Sequence, residues 1–367
     1  MSELRQDPTT REWVIIATER RRRPNEFGSD FFTGKDIKAM ASDKTVLQEY
    51  SKDCPFCQGN EYFSPHETAS YRTFGTSPNS KGWWIRVIPN KFAALSLDFE
   101  ENIHAYESVR TVNTDFTGYF FPRATEVFRT KPGIGAHEVV IDTPKHNEFI
   151  PFFSDRQVQE LFLMYRDRYL NLRANPKFKY IIIFKNSGAN AGTSIVHSHS
   201  QIIATPIIPL TLRNNISQAR FYYDEVGRCI FCDMIQAEIV DGRRIILQTD
   251  DFIVFHPFAS TTPFETWIMP LSHEPCFSDV STDKIKAMGI IVKKVLKGMY
   301  DALNDPDYNF VFNNPPIADE KEDYYHWSLR IIPRLTMKAG FEIGTGMSIN
   351  TAIPEETAEF ARGFLKF

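Results

Sequence analysis

The sequence predicts an α+β protein made of two tandem units, each an antiparallel sheet with one packed helix, related by internal duplication. Three observations carry this expectation: C-x-x-C occurs twice, the same order of apolar runs and histidines follows each copy, and each copy contains one amphipathic helix. The expected division is residues 1–212 against 213–367.

The elements repeat in order. Cys54 and Cys57 of "CPFC" anchor the first copy, and Cys229 and Cys232 of "CIFC" the second. Next come the strand-like runs "WIRVIPNKFAAL" and "FIVFHPFAST", then "HEVVIDTPKH" and "FETWIMPLSH", in which Glu138 and Glu265 each precede a histidine by eight residues. "SDRQ" at 154–157 reads as a capping box, and Val158, Leu161, Phe162 and Tyr165 follow at helical spacing. "STDK" opens the matching helix, with Ile285, Met288, Val292 and Val295 as its stripe. Each helix leads to a strand, "YIIIFKN" or "YNFVFNN", and then to "VHSHSQII" or "YHWSLRII". From His146 to His197 is 51 residues, and from His273 to His326 is 53.

Composition narrows the partners. With 42% hydrophobic and 24% charged residues, the 367-residue chain can bury a sizeable core. A net charge of −4 gives no general attraction to nucleic acid, and the basic run Arg20 to Arg23 is too local to change that. No apolar run is long enough to span a membrane, and the charged N-terminus lacks a signal-peptide core, so a cytoplasmic protein is expected. In a reducing compartment, paired C-x-x-C points to metal or redox chemistry. Cys276 is left over and reads as a small packed hydrophobe.

Two thiolates and two histidines suit tetrahedral zinc. The expected sets are Cys54, Cys57, His146 and His197, and Cys229, Cys232, His273 and His326. With four protein ligands, each would be a closed, structural site. A single Cys₄ site is the other arrangement, but it leaves the matched histidines unexplained. The remaining His66, His104, His137 and His256 read as surface or satisfied core residues.

"NSGANAGTSIVHSHSQ", residues 186–201, carries the chemistry. On a strand, His197, His199 and Gln201 share one face and the serines take the other. His197 has a counterpart in His326, whereas His199 and Gln201 meet Ser328 and Arg330. The shared histidine therefore goes with the metal and the unshared one with catalysis. The preceding loop has Gly188 and Gly192, which permit backbone amides to face an anion, and Ser194 adds a hydroxyl.

This segment resembles the active-site stretch of the galactose-1-phosphate uridylyltransferase family of the histidine triad superfamily. "RQDPTTREWVIIATERRRRP", "CPFCQGN" and "IPNKFAAL" resemble further family motifs, so the similarity covers nearly the whole chain. It implies two histidine-triad-like units and makes His199 the nucleophile that carries a nucleoside monophosphate. It also implies that the His197 carbonyl orients the His199 ring and that Gln201 holds the phosphoryl oxygens. Asn186 and Ser194 would contact the diphosphate, Arg20 and Arg23 would neutralise phosphate charge, and Asn90 would sit near the nucleotide. The uridylyltransferases typically have proline where this chain has Ser198. "HSHSQ", the second C-x-x-C and "GFEIGTGMSIN" look more like the ADP-glucose phosphorylase branch, with adenylyl transfer and inorganic phosphate as an acceptor. Gly344, Thr345 and Gly346 would add a phosphate or sugar contact, and the resemblance implies a homodimer.

The implied activity is ping-pong transfer of UMP or AMP from a nucleotide sugar, through His199, to a hexose 1-phosphate or phosphate. A histidine-triad nucleotide hydrolase is the alternative, but relatives that hydrolyse usually carry histidine at the Gln201 position, and a neutral amide cannot protonate a leaving group. A non-catalytic zinc module is the third reading. Its aromatic residues, 14% of the chain, fall mostly in runs with core spacing.

Overall fold

The computed structural model describes residues 2–22, 47–97 and 133–365. Strands β1 (Glu3–Gln6), β2 (Trp13–Ile16), β3 (Ala69–Arg72), β4 (Trp83–Pro89) and β5 (Ala136–Ile141) come first. Helix α1 (Asp155–Arg173), β6 (Tyr180–Ser187) and β7 (His199–Thr205) complete the first half. The second half opens with α2 (Leu210–Val226) and α3 (Ile230–Asp241), followed by β8 (Ile245–Gln248), β9 (Phe252–Phe255) and β10 (Thr266–Pro270). Then come α4 (Thr282–Leu303), β11 (Tyr308–Asn313), β12 (Ser328–Pro333), α5 (Gly340–Thr345), β13 (Ser348–Asn350) and α6 (Pro354–Arg362). The architecture is mixed α+β.

Ten strands form one sheet in the order β3-β4-β5-β7-β6-β11-β12-β10-β9-β8, every pair antiparallel. Read inward from either edge, the order is the same: three strands, then the fifth of the half, then the fourth. The halves meet at β6 and β11, where Val311 stands opposite Phe184. One continuous sheet therefore carries both. A smaller sheet, β1-β2-β13, pairs β13 in parallel with β2 and ties the C-terminal region to the N-terminal one.

Helices α1 and α4 cover one face of the large sheet. Ser154 caps α1 by accepting from the Gln157 N–H at 3.1 Å, and Ser281 caps α4 from Lys284 at 3.3 Å. Gln157 does not complete a capping box: its side chain donates to the Trp84 and Asp142 carbonyls, fastening the helix to the sheet. Both apolar stripes enter one core with Ile181, Ile183, Phe310 and Phe312. Gly289 lets the helices cross closely, since a Cβ there would lie 3.0 Å from the Val158 carbonyl oxygen. The opposite face of the sheet is where the functional side chains gather.

The register corrects one sequence landmark. Gln201 stands opposite Val139, and Arg330 opposite Trp267, so the position matching Glu265 is His137 and not Glu138. Glu138 faces the helix layer and pairs with Arg168 of α1, while Glu265 pairs with Arg330 on the other face. Equal spacing to the next histidine hides a one-residue shift, which in a strand exchanges the two faces.

Candidate functional site

The first Cys/His set converges, with ligand atoms all within 4.8 Å of one another. Cys54 Sγ lies 3.7 Å from His197 Nδ1, and Cys57 Sγ lies 3.6 Å from both His146 Nδ1 and His197 Nδ1. A tetrahedral ion with bonds of about 2.3 Å to sulfur and about 2.0 Å to nitrogen separates such ligands by roughly 3.6 Å. The residues therefore fit a metal of that kind. The turn is built for it: the Asn60 side chain donates to the Ser51 and Cys54 carbonyls, and the Ser51 N–H donates to Cys57 Sγ. His197 Nε2–H donates to the Thr143 carbonyl at 2.8 Å, leaving Nδ1 as the coordinating nitrogen. Burial pushes the Cys54 thiol up to about 11, so binding a divalent cation would release a proton.

The second set also lies within 4.8 Å, with Cys232 Sγ 3.2 Å from His273 Nδ1 and 3.5 Å from His326 Nδ1. It differs in support. Cys229 and Cys232 open helix α3, and His273 is exposed. His326 Nε2 is buried with no partner among the described residues.

His199 opens β7 directly after the first metal set. Its Nδ1–H donates to the His197 carbonyl at 2.8 Å, so its Nε2 carries the lone pair, and Phe56 of the C-x-x-C turn packs edge-on with ring centroids 5.1 Å apart. Burial, and then the Lys185 ammonium, hold the His199 pKa below its ordinary value and favour the neutral imidazole. Gln201 follows on the same face, where His137 Nε2 meets its Oε1 at 2.7 Å.

Behind this strand lies a buried polar group that the sequence did not disclose. Lys185 Nζ donates to Asp142 Oδ2 at 2.7 Å, Ser198 Oγ at 3.0 Å and the His199 carbonyl at 2.9 Å. Ser198 and Ser200 both donate to Asp142, and the Tyr165 hydroxyl lies 2.6 Å from Ser200 Oγ. The serines thus point away from the histidines, as strand alternation requires, and each has a buried partner. Serine at 198 is part of an ion-pair network. A proline could not enter it.

The glycine loop is held from the second half. Gly188 and Gly192 both have φ of +89°, and a Cβ on Gly188 would lie 1.8 Å from Asp307 Oδ1. Asp307 accepts the Asn190 N–H, while the amides of Ala191, Gly192 and Thr193 bond inside the loop. Those four amides are spent within the protein, so side-chain donors make up more of what the loop offers an anion. Asn309 donates to both Asn186 Oδ1 and the Ala191 carbonyl, and Arg334 donates to Asn309. With its oxygen occupied, Asn186 presents its NH₂. The Thr193 hydroxyl oxygen is buried without a partner among the described residues, and Ser194 is exposed.

The other expected residues lie elsewhere. Asn90 directly follows β4 beside His137, with 3.1 Å between Asn90 Nδ2 and His137 Nε2. Arg20 is exposed on the short helix Thr18–Arg22, and Arg23 and His104 fall outside the described residues. Gly344 and Thr345 end the exposed helix α5, with the Thr345 hydroxyl bonded to Phe341, and Gly346 caps it in the left-handed region. Among the described residues, no hydrogen bond joins these three to His199. His66 is exposed, and His256 is buried against Thr357, as read from the sequence. His137, Lys185, Asp142, Asn309 and Arg334 were missed. The polar Asp142 and Lys185 in otherwise apolar strands were the available signal.

The chain is similar to known proteins along nearly its whole length. A family described as "Galactose-1-phosphate uridyl transferase, N-terminal domain" matches residues 1–209. An ADP-glucose phosphorylase of Arabidopsis thaliana is 32% identical over 98% of the chain and 92% of the relative. A galactose-1-phosphate uridylyltransferase of Thermotoga maritima is 26% identical, covering 99% of this chain and 98% of that one. Among solved structures, an Arabidopsis thaliana ADP-glucose phosphorylase with bound ADP-glucose superposes with a TM-score of 0.77 at 31% identity, covering 99% and 98% of the two chains.

Proposed function

The chain belongs to the galactose-1-phosphate uridyl transferase family and is a nucleotidyltransferase, and from that premise we propose that it transfers AMP from ADP-glucose to inorganic phosphate through His199. The observation that carries the catalytic assignment is the bond from His199 Nδ1–H to the His197 carbonyl. It leaves Nε2 as the nucleophile, beside Gln201 and the glycine loop.

Nε2 attacks the α-phosphorus, the bond to the bridging oxygen breaks, and glucose 1-phosphate leaves as an anion that needs no proton from the enzyme. A phosphate oxygen then attacks the phosphoramidate, giving ADP and returning the lone pair to Nε2. Gln201, Asn186 and Ser194 supply neutral donors to the phosphoryl oxygens, with Gly192 keeping the loop close. Asn90 lies on the nucleotide side, Arg20 and Arg23 balance phosphate charge, and Gly344, Thr345 and Gly346 contribute to the sugar phosphate.

Adenylyl transfer is supported by the Arabidopsis likeness. UMP and a hexose 1-phosphate are the second reading, supported by the Thermotoga relative. Zinc in each Cys/His set is supported by the ligand spacing and donor types. The mirrored strand order supports an ancestral duplication of histidine-triad-like units, with residues 1–212 and 213–367 as its products. A homodimer is carried over from the family resemblance, and a cytoplasmic site of action is supported by cysteine pairs that face histidines in metal-type sets. No described helix is long and apolar enough to cross a membrane.

The test is covalent labelling. Protein incubated with ADP-glucose or UDP-glucose radiolabelled in the α-phosphate should retain label, and His199→Gly should abolish it. Label retained by that variant would refute the assignment. Phosphate should discharge the labelled protein as ADP; rapid discharge by water alone would favour the hydrolase.

A further inference from the structure

His137 lies on β5 with contacts on both ring nitrogens. The Ala94 backbone N–H donates to Nδ1 at 3.1 Å, and Nε2 lies 2.7 Å from Gln201 Oε1. A backbone amide can only donate, so Nδ1 accepts and the neutral ring carries its hydrogen on Nε2. Gln201 must then offer its oxygen to the ring. The neighbouring Asn90 amide does not share in this bond: its Oδ1 accepts from the Phe92 N–H at 2.9 Å, so its NH₂, 3.1 Å from the same Nε2, faces a nitrogen that already bears hydrogen and cannot donate to it.

We propose that His137 is a positioning residue that fixes the Gln201 carboxamide, holding its oxygen and turning its NH₂ toward the transferring phosphoryl group. The proposal rests on Gln201 holding that group. A carboxamide turned the other way would present its oxygen to phosphoryl oxygens and repel them. One hydrogen bond thus decides whether Gln201 stabilises or opposes the transition state. The same imidazole ties residues 90–94, on the nucleotide side, to the catalytic strand. In the second half, Glu265 occupies the matching position and accepts from Arg330 at 2.6 Å. A carboxylate there suits a partner that only donates.

The natural contrast supplies the test. Glutamine at 137 offers an oxygen to Ala94 and an NH₂ to Gln201, whereas glutamate offers acceptors alone and should draw the Gln201 NH₂ away from substrate. In single-turnover labelling with α-phosphate-labelled ADP-glucose, His137→Gln should react within about tenfold of the parent rate. His137→Glu should be about 10²- to 10³-fold slower, with KM changing less than kcat. In a Gln201→Ala background the two variants should label equally.

Equal rates for His137→Gln and His137→Glu with Gln201 present would overturn the proposal, as would a difference that persists without Gln201. If metal content and Tm show that His137→Glu does not fold, His137→Leu replaces it and should be at least tenfold slower than His137→Gln; equality overturns the proposal. The His199→Gly control separates the two claims. Label on that control rejects the nucleophile, while a clean control with matching His137 variants rejects His137 alone.

Discussion

The two halves place different side chains on the same sheet positions. On the face away from helices α1 and α4, His199, Gln201 and His137 of the first half stand where the second has Ser328, Arg330 and Glu265. On the helix-covered face, Ser198, Ser200 and Lys185 correspond to Trp327, Leu329 and Phe312, which belong to the central core. The second half uses its inner strand as ordinary apolar packing. The first accepts the desolvation of an ammonium and a carboxylate behind the strand that carries His199, the proposed nucleophile. Such a pair is weak evidence for added stability, but its bond to the His199 carbonyl restrains that residue from behind. Scaffold and chemistry have separated between equivalent positions.

The largest difference is expected at the metal sets. Cys57→Ser and Cys232→Ser should each lower zinc content from two to one per chain, because a set that has lost one thiolate holds the ion far more weakly. Only the first should silence labelling, because His197 belongs to the first Cys/His set and its carbonyl also accepts from the His199 ring. Cys232→Ser should label within about tenfold of the parent, and in the parent the second set's zinc should leave first under a chelator, since among the described residues His326 Nε2 lacks the carbonyl partner that His197 has. Equal loss of labelling in both variants, measured beside metal analysis, would erase the distinction between the halves.

Lys185 tests the inner face. Lys185→Met leaves the buried Asp142 charge uncompensated and should cost about 3–5 kcal/mol in urea unfolding. Adding Asp142→Asn removes that charge while keeping an acceptor for the serines, and most of the stability should return. Labelling should stay slow in the double variant, because the His199 carbonyl still lacks its ammonium. Recovery of rate together with stability would make the network packing alone, as it is in the second half.

Much of this contrast was legible before any coordinates. Cys spacing, the two capping serines and the apolar stripes located the main strands and both sheet-covering helices, because these signals are local and periodic, but the two expected sheets proved to be one continuous sheet joined at β6 and β11. The metal sets could be paired because the halves share them, and His199 stood out because they do not. Other parts needed the sheet register. Glu138 and Glu265 share a spacing yet face opposite sides, and His137 looked like a satisfied histidine until Gln201 came beside it. Asp307 and Asn309 grip the glycine loop from more than a hundred residues away, with Arg334 holding Asn309, a relation no local pattern encodes.

The smallest effect is expected at Ser200. Ser200→Ala removes one donor to Asp142 and leaves the buried Tyr165 hydroxyl without its partner, a change worth about 1–3 kcal/mol. Its counterpart Leu329→Ala should cost about 2–5 kcal/mol, because it opens a cavity in the central core. Stability therefore ranks the apolar position above the polar one. Activity should rank them the other way: Ser200→Ala loosens the anchor of the strand between His199 and Gln201, whereas Leu329→Ala lies behind a strand that bears no nucleophile. Urea midpoints and labelling rates on the same two variants decide it. A slower Leu329→Ala with an unaffected Ser200→Ala would mean that the catalytic strand is held by the common core and not by its polar backing.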